Sequence, residues 1–152
     1  MKQIPHVGVS GILYEDGQIL LGKRCDNDNS LPGLWNTPGG GLNFRETIAD
    51  GIAREFREEV GLDVTSAPVP FSPSRPDFRH VVEAMHNPKR HTILIFQQVY
   101  RIFHPPAKPL DGLSEVKWAT WQDIREMADA NLLTPGTAKA LQAFWRHLFP
   151  HL

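Results

Sequence analysis

The feature that most constrains this chain is a segment whose charge and apolar spacing pull in opposite directions. Residues 54–59, Arg-Glu-Phe-Arg-Glu-Glu, hold five charges in six positions, yet they continue a series in which Ile48, Ile52, Phe56 and Val60 fall four apart. That spacing predicts a helix over residues 46–60, with Gly61 placed as a left-handed C-terminal cap. At about 100° per residue, Ile48, Ala49, Ile52, Ala53, Phe56 and Val60 share the core-facing arc. Glu59 projects within that arc, Glu55 at its edge and Glu58 further out on the same flank, whereas Asp50 and Arg57 point the other way. A solvated charged face is the usual reading of such a run, and it does not accommodate Glu59. A carboxylate aimed into an apolar face is strongly unfavourable unless it is paired or neutralised.

Three acids gathered beside a core edge are better matched to a divalent cation than to solvent, and oxygen-only ligands favour Mg²⁺ or Mn²⁺ over zinc. Gly51 falls on the flank of the acids, where it either leaves room beside them or lets another element pack closely. Arg54 either bridges a glutamate and holds its rotamer or makes a surface ion pair of small value. Just ahead, Pro38-Gly39-Gly40-Gly41 supplies a backbone free to turn sharply, with amides and carbonyls open to phosphate or metal.

The rest of the chain reads as one domain over residues 1–152, of mixed α+β class. A hydrophobic fraction of 41% and a charged fraction of 22% are those of a globular protein. Strands are expected at residues 6–14 and 18–24, joined by an Asp16-Gly17 hairpin turn. Residues 25–33 read as a loop and 34–37 as a short extended piece. After the helix come strands at 62–69, 79–85 and 92–103, with a loop at 71–76 and a turn at Asn87-Pro88. A short strand at 115–118 precedes helices at 121–130 and 135–149, the last with Thr134 as N-cap and Pro135 in its first turn. No apolar run is long enough to span a membrane, and the N-terminus lacks a signal-peptide pattern. A net charge of -1 is unlike the basic surface that long nucleic acid requires. The single cysteine, Cys25, excludes an internal disulfide and suits a reducing, cytoplasmic setting.

Gly40-x5-Glu46-x7-Arg54-Glu55-Phe56-x-Glu58-Glu59-x-Gly61-Leu62 resembles the complete Nudix box, G-x5-E-x7-R-E-U-x-E-E-x-G-U with U hydrophobic. The flanks are similar too: Leu20-Leu21-Gly22-Lys23-Arg24, the Trp35-x-x-Pro38-Gly39-Gly40 approach, and Glu115-x-x-Trp118 before a helix. The resemblance implies an α/β/α sandwich with a mixed sheet, and hydrolysis of a nucleoside diphosphate linked to another group X. It further implies Mg²⁺ (or Mn²⁺) held by Glu55, Glu58, Glu59 and the Gly39 carbonyl, Glu46 supporting the helix start, and Arg54 orienting a catalytic glutamate. Glu58 or Glu59 is the expected general base, with Glu115 a candidate from downstream. One departure stands out. Many members continue the glycines as G-G-x-x-E-x-G-E, and here Asn43 and Arg45 occupy the inner Glu and Gly positions.

Expected substrate contacts are Gly40 and Gly41, with Lys23 or Arg24 neutralising phosphate and Trp35 stacking on a base or packing before the turn. Phe78, His80, His86, His91 and Phe96 lie on strands beside the site, where lone histidines are more often structural. Lys89, Arg90 and His91 form a charged hairpin tip. The chain is most similar to small members that cleave nucleoside triphosphates to monophosphate and diphosphate. The alternatives are a nucleotide-sugar or ADP-ribose pyrophosphatase, which Pro76 weakly suggests, and a non-catalytic nucleotide sensor. Residues 68–74 distantly resemble an NADH-type signature. The partner expected is a small nucleotide, and the aromatic last helix (Phe144, Trp145, Phe149) offers either a homodimer surface or an ordinary core face.

Overall fold

A computed structural model describes residues 3–27, 31–66, 78–88, 90–103 and 105–152. The loop expected at 71–76, the signature at 68–74, Pro76 and Lys89 lie outside the described residues, as does the side chain of His86.

Among the described residues eight strands form one mixed sheet: β1 (His6–Glu15), β2 (Gln18–Arg24), β3 (Trp35–Asn36), β4 (Gly39–Gly41), β5 (Val64–Thr65), β6 (Arg79–Asn87), β7 (Arg90–Arg101) and β8 (Leu113–Thr120). Three helices complete the order: α1 (Ile48–Val60) between β4 and β5, then α2 (Trp121–Asp129) and α3 (Pro135–Leu148) after β8. The centre is the parallel pair β1 and β7, in register from His6 with Thr92 to Leu13 with Val99. Around it, β4 joins β1, β5 and β6 join β7, and β3 and β8 join β2, all antiparallel.

β1 is buried from Gly8 to Leu13 because helices cover both of its faces. Val9 and Leu13 pack under α1 with Ile52, Phe56 and Val60, while Ile12 packs under α2 and α3 with Ile124, Leu141 and Phe144. A side chain at Gly11 would lie 2.8 Å from Ile52 Cγ2, so the bare backbone there lets α1 settle onto the sheet. The result is the expected α/β/α sandwich. Phe144 is fully buried in it, whereas Trp145 on the same helix and Phe149 at its C-cap are half-buried.

Several elements differ from their expected extents for local reasons. α1 starts at Ile48 because the Thr47 hydroxyl caps it, accepting from Asp50 N–H at 3.1 Å, which leaves Glu46 outside the helix. Its end is as expected, with Gly61 at φ 69° and its N–H donating to Phe56 O. The Asp16-Gly17 turn has φ of 50° and 78°, the two positive values of a two-residue hairpin. β8 runs longer than expected, since β2 pairs with it from Gln18–Thr120 through Arg24–Leu113. Of the strand expected at 62–69, Val64 and Thr65 form β5, and residues 67–69 lie outside the described residues.

Candidate active site

The three glycines behave differently from the expected sharp turn. None has positive φ, and they form β4 against β1. Gly11 N–H donates to Pro38 O at 3.0 Å and Leu42 N–H to Val7 O at 2.9 Å, so residues 38, 40 and 42 face β1. By strand alternation Gly39 and Gly41 turn their backbone groups to the opposite edge, toward α1. There Gly39 N–H donates to Glu59 Oε1 at 2.7 Å, and Gly41 O accepts from Arg54 Nη2 at 2.9 Å. Close approach explains the missing side chains: a Cβ on Gly39 would run into Ser10 and Val9 O, and one on Gly40 would stand 2.6 Å from Glu55 Cδ.

The acids divide into two groups. Glu46, Glu55 and Glu58 surround the guanidinium of Arg54. Nε donates to Glu46 Oε2 at 2.8 Å and Nη2 to Glu46 Oε1 at 3.0 Å, while Nη1 reaches Glu55 Oε1 at 2.8 Å and Glu58 Oε2 at 3.3 Å. The Arg54 bond holds the Glu46 carboxyl down at about 2, and Glu46 in turn raises the guanidinium. Burial raises Glu55, against the opposing pull of Arg54. Glu59 stands apart. Desolvation pushes its carboxyl up to about 8 despite the Gly39 amide and the charge of Arg24, and the charges of Glu55 and Asp111 add to the rise. Without a further cation, Glu59 therefore carries a proton at neutral pH.

Among the described residues no three His, Cys, Asp or Glu side chains already converge on one point. The donors present nevertheless suit Mg²⁺ or Mn²⁺: the carboxylates are oxygen ligands, Gly40 leaves Glu55 a cradle that a Cβ would fill, and Glu59 is a half-buried acid whose carboxyl is raised by desolvation. Gly51 is a place of close packing, its virtual Cβ 2.7 Å from Leu42 Cδ1 and 3.1 Å from Glu46 Oε1.

From Glu59 and the glycine strand a cleft of about 420 Å³ runs along the sheet to the start of α3. Arg24, Gly39, Gly40 and Gly41 line its acid end. Its opposite wall comes from Asn36, Thr37, Thr134 and Thr137, none of which the motif reading singled out as a site residue. Buried Ser10 ties this wall to β1: its Oγ lies 2.6 Å from Thr37 Oγ1 and donates toward the Thr37 and Pro38 carbonyls, each at 3.0 Å. Thr134, the N-cap of α3, leaves the helix amides and meets Thr137 Oγ1 instead, at 2.8 Å. A polar residue inside the apolar strand 6–14 was the available sequence signal for Ser10; Asn36 and Thr137 carried none.

Other expected residues fall elsewhere. Trp35 packs against the core beneath α2 and α3 and does not line the cleft. Lys23 pairs in register with Trp35 and with exposed Glu115, and neither Lys23 nor Glu115 reaches the cleft wall. The acid of that downstream segment whose charge is felt at Glu59 is Asp111, whose N–H donates to Glu58 O at 3.3 Å. Phe78 and Phe96 are core residues, His80 stacks on Phe78, and His91 lies 3.4 Å from Glu83. Arg45, standing where the family pattern has glycine, adopts φ 65°, the left-handed region that glycine enters freely.

Comparison with known proteins agrees with this arrangement. Over 134 residues the chain is 28% identical to an isopentenyl-diphosphate Delta-isomerase of Mycolicibacterium vanbaalenii, covering 82% of this chain and 67% of that one. It is 42% identical over 53 residues to the nucleoside triphosphatase NudI of Salmonella agona, which is 35% of this chain and 38% of the relative. The fold matches a bifunctional NMN adenylyltransferase/ADP ribose pyrophosphatase of Francisella tularensis, a structure complexed with AMP and a Mn ion. That match has a TM-score of 0.77 at 20% identity, over 95% of this chain and 42% of that one. No described helix is long and apolar enough to cross a membrane. The NUDIX domain model matches residues 4–144, and the chain belongs to that family, the Nudix hydrolases.

Proposed function

We propose that this chain hydrolyses a nucleoside diphosphate linked to a group X, and that its substrate is a nucleoside triphosphate, cleaved to monophosphate and diphosphate. One observation carries the reading. Half-buried Glu59 stands with Arg24 and the glycine strand at one end of a cleft whose lining continues into the hydroxyls and amide of Asn36, Thr37, Thr134 and Thr137, which suits a diphosphate at the first end and a nucleoside at the second.

Glu55, Glu58, Glu59 and the Gly39 carbonyl would hold Mg²⁺, or Mn²⁺ in its place. When bound, the ion supplies charge neutralisation of the diphosphate and a more acidic water. Arg54 holds Glu55 and Glu58 in place through bonds of 2.8 and 3.3 Å. Glu58 or Glu59 accepts the proton of the attacking water, with Glu115 the downstream candidate. Arg24 balances phosphate charge beside Gly40 and Gly41, and Lys23 and Trp35 support that strand end. The one cysteine in the sequence suits a reducing compartment such as the cytoplasm.

Product chromatography with Mg²⁺ over nucleoside triphosphates, ADP-ribose, nucleotide sugars and isopentenyl diphosphate tests the reading, with Glu59→Gln as control. Monophosphate plus diphosphate from triphosphates supports it. Preferred cleavage of ADP-ribose or a nucleotide sugar moves the chain to a diphosphate-sugar substrate. Double-bond isomerisation of isopentenyl diphosphate, or binding without turnover, overturns it.

A further inference from the structure

Two glycines in the cleft have no conformational reason to be glycine. Gly8 in β1 and Gly136 in the first turn of α3 both lack positive φ, and glycine is unfavourable inside strands and helices alike. Their surroundings supply the reason, and it is one side chain. A Cβ on Gly8 would lie 2.8 Å from Leu94 Cδ2, and a Cβ on Gly136 would lie 2.6 Å from Leu94 Cδ1. The two methyls of a single leucine thus occupy the places where two other side chains would stand. Leu94 pairs in register with Gly8 across the central strands, is only partly buried, and lines the cleft together with both glycines.

We propose that Leu94, seated between Gly8 and Gly136, is the specificity gauge of the cleft and sets how large a nucleobase it admits. The proposal rests on the nucleotide-hydrolase reading above. Between its two charged ends the cleft is uncharged around Leu94: Arg24 and Glu59 line the acid end, and His6 and Arg90 line the other, His6 in register with Thr92. Gly8, Thr92, Phe96 and Thr137 complete a neutral lining of bare backbone, hydroxyls and one ring. That lining suits a flat, uncharged heteroaromatic ring with a polar edge. The leucine side chain stands at the floor of that stretch, so its length decides the space left for the ring. Differences of one or a few methylenes in an apolar pocket change selectivity by about 10- to 200-fold.

Calorimetric binding of AMP, GMP, CMP and UMP, with Mg²⁺ present, tests the gauge on wild type, Leu94→Ala and Gly136→Ala. Leu94→Ala is expected to shift the purine-to-pyrimidine affinity ratio toward purines by about tenfold. Gly136→Ala, whose methyl drives Leu94 toward the ring, is expected to shift it toward pyrimidines. Opposite signs are the signature, because general loosening of the domain would move both variants the same way. Leu94→Val replaces Leu94→Ala if the latter does not melt cooperatively. Ratios unchanged within about twofold in both variants, shifts of the same sign, or no binding of any monophosphate would overturn the proposal. Wild type that obeys the gauge in binding yet releases no product from any triphosphate would instead defeat the hydrolase reading.

Discussion

The two walls of the cleft are built on opposite plans. The acid side comes from one continuous stretch, in which the loop before α1 and the helix itself supply Glu46, Arg54, Glu55, Glu58 and Glu59, and of these Glu59 lines the cleft while the others cluster beside it around Arg54. The neutral wall is gathered from β1, the segment after β2 and the first turn of α3, with Ser10, Asn36, Thr37, Thr134 and Thr137 more than a hundred residues apart at the extremes. The acid wall holds charge at fixed points, and its residues restrain one another through Arg54. The neutral wall holds shape, through short hydroxyl contacts such as Ser10 with Thr37 at 2.6 Å. A division of labour follows, in which changes on the acid wall alter turnover and changes on the neutral wall alter substrate affinity.

The largest test of that division is Glu59→Gln. Loss of the carboxylate proposed as proton acceptor and metal ligand is expected to lower kcat by about 10²- to 10⁴-fold, with the protein at least as stable as wild type above pH 8. A steady-state assay beside a urea melt reads both quantities, and a loss confined to KM would break the comparison. Next in size is Arg54→Ala, which leaves Glu46, Glu55 and Glu58 without their common cation. Stability should fall by about 2 kcal/mol, and kcat should fall with it as Glu55 and Glu58 lose their restraint. Equilibrium denaturation and single-turnover kinetics would check the pair.

The pH dependence sharpens the contrast further. Glu59 is raised from 4.5 to about 8, so the folded metal-free protein keeps a proton that the unfolded chain has lost. Its contribution is complete below pH 4.5 and is lost as pH rises toward 8, at a slope of at most about 1.4 kcal/mol per unit. Glu46 acts in the other direction: lowered to about 2, it stabilises above 4.5, and that benefit disappears as pH falls through about 2. Mg²⁺ competes with the Glu59 proton, so the melting shift caused by Mg²⁺ should grow from about pH 6 to about pH 8 and be flat in Glu59→Gln. On the neutral wall, Ser10→Ala should cost about 1–2 kcal/mol and raise KM more than it lowers kcat, since it frees the segment leading to Gly39. Smallest is Arg45→Gly, expected to raise stability by up to about 1 kcal/mol by relieving a left-handed residue, with kinetics unchanged. A thermal melt would settle its sign.

The same contrast explains what could be read from sequence. Apolar spacing placed Glu59 toward the core because a helix maps three- and four-residue intervals onto one face; its carboxyl is raised by desolvation, while Glu55, expected only at the edge of that arc, is the less exposed side chain. The Asp16-Gly17 turn and the Gly61 cap were legible for a similar reason, since each depends on a few adjacent residues. Long-range geometry was not legible. Nothing local says that Gly39–Gly41 would pair with β1 instead of turning, because the decisive atoms are Val9 O, Ser10 and Glu55. Nor does local sequence say that Asp111 would outrank Glu115 near Glu59. That depends on backbone amides at Lys108, Leu110 and Asp111 meeting the last carbonyls of α1. Asn36 and Thr137 belong to the cleft only because β3 and α3 meet across the sheet, with Thr134 N–H donating to Trp35 O.

The parallel pairing of β1 with β7 also governs how the chain reaches this state. His6 through Leu13 find their central partners only at Thr92 through Val99, so the middle of the sheet cannot close until most of the polypeptide has emerged from the ribosome. At synthesis rates of about 5–20 residues per second, β1 waits for seconds without its parallel partner, with β2 and β4 the pairing strands already made. Its hairpin partner β2 and the arriving helix α1, which shields Val9 and Leu13 in the finished sheet, are both synthesised well before β7. The segment that bears the acids is therefore positioned by sequence order to act first as a cover for a nascent strand, and only afterwards as chemistry.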